Sequence, residues 1–135
     1  MTESQIQAQL IQWWQLAHRG LKVPDARLLF MIPNGAYLGA GVNRKGVPLA
    51  AIRFAHLKRM GFVPGAPDLF LAAPRWGKAG LFLELKRERG GKVSTEQREM
   101  HALLAAEGYA VRLARGFEEA VETITTYLIG GRGHE

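Results

Sequence analysis

The sequence predicts an α/β fold in which a mixed central β-sheet is flanked by helices. Short apolar runs at LLFMI (28–32), LFLAA (69–73) and LFLEL (81–85) have strand length, and the stretches around them carry apolar residues at helical spacing. The second and third runs are joined only by Pro74-Arg75-Trp76-Gly77-Lys78-Ala79, which looks like a hairpin connection.

Thr2 to about His18 reads as a helix, with Thr2 as N-cap and Gln5 completing a capping box. Its stripe is Ile6, Leu10, Trp13, Trp14 and Ala17, which makes the two tryptophans core or interface residues. Between Arg27 and Pro33, LLFMI reads as a buried strand stopped by Pro33-Asn34-Gly35. Gly35 to Gly46 is a glycine-rich loop carrying Asn43-Arg44-Lys45. Pro48 suits the first turn of a helix running to about Met60 and stopping at Gly61. A strand follows from about Asp68 to Ala73, then its hairpin partner from about Gly80 to Arg87. After a loop over 88–93, Ser94 caps a helix that reaches Glu107 and closes at Gly108. Tyr109 to Ala114 is a short strand, Phe117 to Ile129 a last helix, and the tail GGRGHE is expected to be disordered. No repeat or linker divides residues 1–129, which read as one domain.

The 135 residues are enough to bury a core, and 47% hydrophobic with 22% charged residues is ordinary globular composition. No cysteine is present, which rules out disulfide frameworks and thiolate metal sites and fits a reducing, cytoplasmic setting. The start of the chain does not read as a signal peptide, and no apolar run approaches the roughly 20 residues of a membrane span, so no membrane partner is expected. A net charge of +6 and a pI of about 10.1 make nucleic acid the leading partner class.

The chemistry concentrates in LFLELK (81–86). Residues two apart on a strand share a face, so Phe82, Glu84 and Lys86 project to one side and Leu81, Leu83 and Leu85 to the other. Alone, Glu-x-Lys also describes an ion pair at an exposed strand end. Hairpin pairing, however, brings Asp68 near Glu84, and two carboxylates there repel unless a cation lies between them. A hard divalent ion such as Mg²⁺ is held in this way, by one or two carboxylates with water and phosphate oxygens. Lys86 beside them would orient or deprotonate the attacking water, or stabilise charge developing on phosphorus.

Pro67-Asp68, an apolar strand and Glu84-Leu85-Lys86 together fit the PD-(D/E)xK nuclease signature. A wider frame runs from Ile32-Pro33-Asn34-Gly35 through Leu57-Lys58-Arg59-Met60-Gly61 and Pro64-Gly65-Ala66-Pro67-Asp68-Leu69 to Ser94-Thr95-Glu96-Gln97. It resembles the VRR-NUC branch of that superfamily over nearly the whole chain. One departure is Val111-Arg112-Leu113, where the family's name-giving triplet has a second arginine. The resemblance implies a restriction-endonuclease-like core and Mg²⁺ or Mn²⁺ as cofactor. It implies that Asp68, Glu84 and the Leu85 carbonyl bind the metal, with Lys86 assisting water. It also puts a site glutamate at Glu3 and a site glutamine at Gln97. Glu3 would equally favour a helix N-terminus through the dipole. Gln97 is at once a capping residue and a residue on the stripe of Met100 and Leu104.

Arg44 and Lys45 in one loop, and Arg87, Arg89 and Lys92 in another, are candidates to grip phosphates without reading sequence. Trp76 is expected to cover its own turn, with base stacking as the alternative. His18, His56, His101 and His134 show no metal-ligand spacing, and His56 and His101 are expected to be structural or exposed. By the resemblance, the expected activity is metal-dependent cleavage of branched DNA, in particular resolution of four-way junctions by a homodimer. Cleavage of flaps, forks or duplex, or DNA binding without catalysis, remain the rivals. At this length no separate targeting domain is expected, which leaves selectivity to DNA shape.

Overall fold

A computed structural model describes residues 1–33 and 38–130. Asn34 and Gly35 of the predicted turn, the start of the glycine-rich loop, the last residues of the tail and His134 lie outside the described residues. Helix α1 (Glu3–Ala17) is followed by strand β1 (Leu29–Met31), helix α2 (Leu49–Arg59) and strands β2 (Leu69–Leu71) and β3 (Leu81–Lys86). Helix α3 (Thr95–Ala106), strand β4 (Ala110–Arg115) and helix α4 (Phe117–Thr125) complete the order. The sheet order is β1-β2-β3-β4, antiparallel except for the parallel pair β3–β4, so the predicted mixed sheet and its central hairpin are both present.

Helices α1 and α4 cover one face of the sheet. Ile6, Leu10 and Trp14 of α1 are fully buried there against Leu69, Leu71, Leu81, Leu83 and Leu85, with Ala120 and Ile124 of α4. Hydrogen bonds pin the layers: Trp14 Nε1 donates to Ala26 O at 2.8 Å, and Tyr127 Oη donates to Ala73 O at 2.7 Å. His18 Nδ1 donates to Val23 O at 2.8 Å, closing the end of α1. The other face carries Phe70, Phe82 and Tyr109 in mutual edge and tilted contacts, with Phe30 on Phe70. Helix α3, the crossover between β3 and β4, lies against this layer, and an apolar cleft of about 430 Å³ opens between Phe82, Met100 and Leu104 on one side and Met60 and Val63 on the other.

One expectation about an element is corrected. LLFMI is not a buried strand: Leu28 ends a 3₁₀ turn begun at Ala26, only Leu29 is buried, and Phe30 and Met31 are each 46% exposed. Its apolar composition is that of a core strand, but β1 sits at the sheet edge, where among the described residues one side has no neighbouring strand. The last helix spans the expected stretch, α-helical over Phe117–Thr125 and continuing as a wider π-helix over Thr126–Gly130.

Candidate nuclease site

The antiparallel register pairs Leu69 with Leu83. Continued by one residue, it sets Asp68 opposite Glu84, so the hairpin itself delivers the second carboxylate. Asp68 is held in place from the backbone: Leu85 N–H donates to Asp68 Oδ2 at 2.7 Å. Alternation along β3 sends Leu83 and Leu85 into the helical core and turns Glu84 and Lys86 to the α3 face.

Both charged residues are buried, Glu84 at 2% and Lys86 at 5% exposure, so the surface ion pair is not what the chain builds. Lys86 Nζ stands 4.0 Å from Glu84 Oε2, beyond hydrogen-bond length, and donates instead to Gln97 Oε1 at 3.1 Å. Burial, with the Asp68 carboxyl across the hairpin, pushes the Glu84 carboxyl up to about 9; Lys86 opposes the shift and Glu3 adds to it. A carboxyl so placed is protonated at neutral pH unless a cation joins the pair.

Gln97 reaches the lysine because of how α3 begins. Ser94 Oγ accepts from Gln97 N at 3.1 Å, and Gln97 Oε1 accepts from Ser94 N at 3.0 Å, a complete capping box. Gly65, in the loop that leads to Asp68, packs against this turn with φ +90°. A Cβ there would lie 2.5 Å from the Glu96 carbonyl carbon and oxygen. Only glycine lets the Asp68 loop and the Gln97 turn approach so closely. Glu3, the first residue of α1, comes to the same end of the sheet: its Oε2 is 3.9 Å from where a Cβ on Gly91 would stand, and Lys86 Cδ is 3.6 Å from that point. Glu3 therefore serves the helix N-terminus and faces the site at once.

The basic candidates divide. Arg87 and Arg89 border a cleft of about 500 Å³ with Met1, Thr2 and Gln5, beside Glu3. Lys92 is exposed on the same loop. Arg44 and Lys45 are exposed on a turn built on Asn43, whose Oδ1 accepts from Lys45 N and Val47 N at 2.9 Å each; among the described residues no hydrogen bond brings that turn to the carboxylates. Trp76 covers more than its own turn: its Nε1 donates to Tyr127 O at 2.6 Å, tying the hairpin to the segment after α4, while half of the residue stays exposed.

Two residues of the site escaped the sequence reading. Arg115 at the end of β4 donates to Gly90 O at 2.6 Å and to Gly91 O at 3.3 Å, holding the loop after Lys86 closed. His101, expected to be structural or exposed, instead packs into the site with Nε2 3.6 Å from Glu84 Oε1. Burial and the Lys86 charge depress its basicity. Its signal was present in the sequence: His101 follows Gln97 by four residues and therefore shares its helix face.

Among the described residues no three His, Cys, Asp or Glu side chains converge closely enough to hold an ion unaided. The donor set nevertheless fits a hard cation that keeps water and phosphate ligands. Glu84 Oε1 is buried without a hydrogen-bond partner, and the carboxyl repelled by Asp68 is the group a cation would relieve.

A mixed sheet flanked by helices, whose central hairpin carries two facing carboxylates with a buried lysine two residues on, fits a restriction-endonuclease-like fold. The VRR-NUC domain model matches residues 1–118, and the chain belongs to that family. A solved structure described as a VRR_NUC domain protein superimposes with a TM-score of 0.72 at 22% identity, covering 95% of this chain and 88% of the other. Comparison with curated proteins finds no match. The protein thus contains a nuclease-type domain, and no helix among the described residues is long and apolar enough to cross a membrane.

Proposed function

We infer that the protein is an Mg²⁺- or Mn²⁺-dependent endodeoxyribonuclease that hydrolyses phosphodiester bonds in branched DNA, acting on four-way junctions as a homodimer. The observation that carries the reading is the trio Asp68, Glu84 and Lys86 at one sheet end, the last two buried and Asp68 half-buried, with Lys86 aimed by Gln97 rather than neutralised by Glu84. Asp68, Glu84 and the Leu85 carbonyl would hold the ion, with Glu3 at the margin. When bound, the ion supplies Lewis-acid stabilisation of charge at the phosphate. Lys86, kept from pairing fully with a carboxylate, directs its ammonium at the attacking water and at the oxygens where charge develops. Gln97 fixes the lysine's position, and Leu85 N–H fixes that of Asp68.

The exposed Arg87, Arg89 and Lys92 beside the site, with Arg44 and Lys45 on the turn at Asn43, would bind phosphates and locate the duplex arms. Because those contacts carry no base information, selectivity rests on DNA shape. Two symmetric incisions need two active sites in fixed relation, which a twofold dimer supplies. Junction preference rests on family likeness and on no single residue.

Incubation of the protein with end-labelled four-way junction, flap, fork and duplex in Mg²⁺ or Mn²⁺ tests the reading. The expected result is fastest cleavage of the junction, abolished by chelator, with sedimentation giving twice the chain mass. Binding without cleavage in any divalent metal would leave a DNA-binding module. Faster cleavage of flaps or duplex would reassign the substrate.

A further inference from the structure

Two buried polar atoms without a hydrogen-bond partner face each other in the site: Glu84 Oε1 and His101 Nε2, 3.6 Å apart. The separation exceeds the roughly 3.2 Å limit of a good N–H···O bond. Buried polar groups are paired in the great majority of cases, and orphans that meet at a catalytic carboxylate point to a bond made in another state of the site. The setting on α3 is specific. Gln97 and His101 stand one helical turn apart on the face turned to β3; Gln97 accepts from Lys86 and His101 confronts Glu84. One helix face thus attends to both charged residues of Glu-x-Lys, one side chain for each.

We propose that His101 is a positioning residue for Glu84. Its ring donates the Nε2–H to Glu84 Oε1, fixing the rotation of the carboxylate with Oε2 on the Lys86 side. The inference rests on the reading of Asp68 and Glu84 as the cation site. A neutral donor suits this place better than a second lysine or an arginine. It satisfies one carboxylate oxygen and leaves the negative charge available, whereas a cation there would pair with Glu84 permanently and compete with the metal. Glu84 Oε1 faces His101 and Oε2 faces Lys86, so both oxygens have a neighbour from which to take their orientation.

Calorimetric titration of Mn²⁺ into the DNA-free full chain tests the assignment, with wild type, His101→Gln, His101→Leu and Glu84→Ala compared. Glutamine places an amide N–H near the reach of Nε2; leucine fills the space with no donor. Loss of roughly 10- to 100-fold in Mn²⁺ affinity in His101→Leu is expected, as for other groups that orient metal ligands, with His101→Gln near wild type and melting in chelator showing both variants folded. If His101→Leu does not fold, His101→Asn, too short to reach Glu84, takes its place. Wild-type affinity in the variant lacking a donor overturns the role of His101 and leaves the metal site standing. Absence of Mn²⁺ binding by wild type overturns the metal site itself, and the inference with it. Nitrogen modulation in the electron spin echo of bound Mn²⁺ also overturns it, because the ring would then be a ligand.

Discussion

Helices α1 and α3 begin with the same device and do different work. Thr2 and Ser94 adopt nearly identical backbone angles, φ −73° and ψ 163° against φ −72° and ψ 165°, and each closes a capping box with the glutamine three residues on. Gln5 stays exposed and accepts from Thr2 N at 2.9 Å, which completes the cap. Gln97 spends the same oxygen twice, on Ser94 N and on Lys86 Nζ. Conversely, in α1 it is the first residue, Glu3, that turns to the site, whereas in α3 the neighbouring Glu96 is exposed and its backbone abuts Gly65. A capping box is a local solution to orphaned N–H groups. Whether it also serves chemistry depends on what the sheet places beneath it.

The severest way to break the contrast is to remove what lies under α3. Lys86→Ala is expected to reduce junction cleavage by about 10²–10⁴-fold, the usual range for a group acting on a proton or charge in the transition state, while Mn²⁺ binding persists. Glu84→Ala should lose both, and cleavage at the wild-type rate in either variant would overturn the site. Next comes the direct test of the two glutamines. Gln97→Leu and Gln5→Leu should each cost about 0.5–1 kcal/mol of stability as damaged caps. Only Gln97→Leu should also slow single-turnover cleavage, by roughly 10-fold or more as a positioning residue. Equal rates in the two variants would reduce Gln97 to a cap.

A third measurement concerns the buried carboxyl. Its folded-state value near 9 lies above the ordinary 4.5, so the folded protein binds this proton more tightly than the unfolded chain does. The stability Glu84 contributes is therefore fully present below about 4.5 and declines as pH rises toward 9. His101 is shifted the opposite way, and its effect is confined to pH near and below its ordinary 6.5. Between pH 7 and 9 in chelator, wild type should lose melting temperature relative to Glu84→Gln, and Mn²⁺ should reverse the loss. Parallel profiles would show that Glu84 carries its charge in the folded state without strain. Last come the cap residues themselves, with an effect on stability alone: Thr2→Ala and Ser94→Ala should each cost about 1 kcal/mol by denaturant unfolding. The two losses should be similar despite the difference in function.

Much of the site was readable before the fold was seen, because it depends on short-range periodicities. Alternation put Glu84 and Lys86 on one face of β3, a short connection made β2 and β3 antiparallel, and Ser94-x-x-Gln97 announced a helix start. Burial was less readable. LLFMI is wholly apolar and LFLEL carries a glutamate, yet Phe30 is nearly half exposed and Glu84 is almost wholly buried. The difference lies in β1 being an edge and β3 having neighbours on both sides, which no local pattern records.

By itself, then, the sequence determined the strand faces, the hairpin, the caps and the motif that marks the family, all set within a few residues by backbone geometry and side-chain type. Only the tertiary structure decided that Gln97 meets Lys86, that His101 meets Glu84, that Arg115 closes the loop at Gly90 and that Glu3 arrives from the far end of the chain. Those meetings join residues distant along the chain, and they follow from the packing of α3 and α1 around the end of one sheet. Packing sums over many weak contacts at once, and no short window of sequence contains that sum.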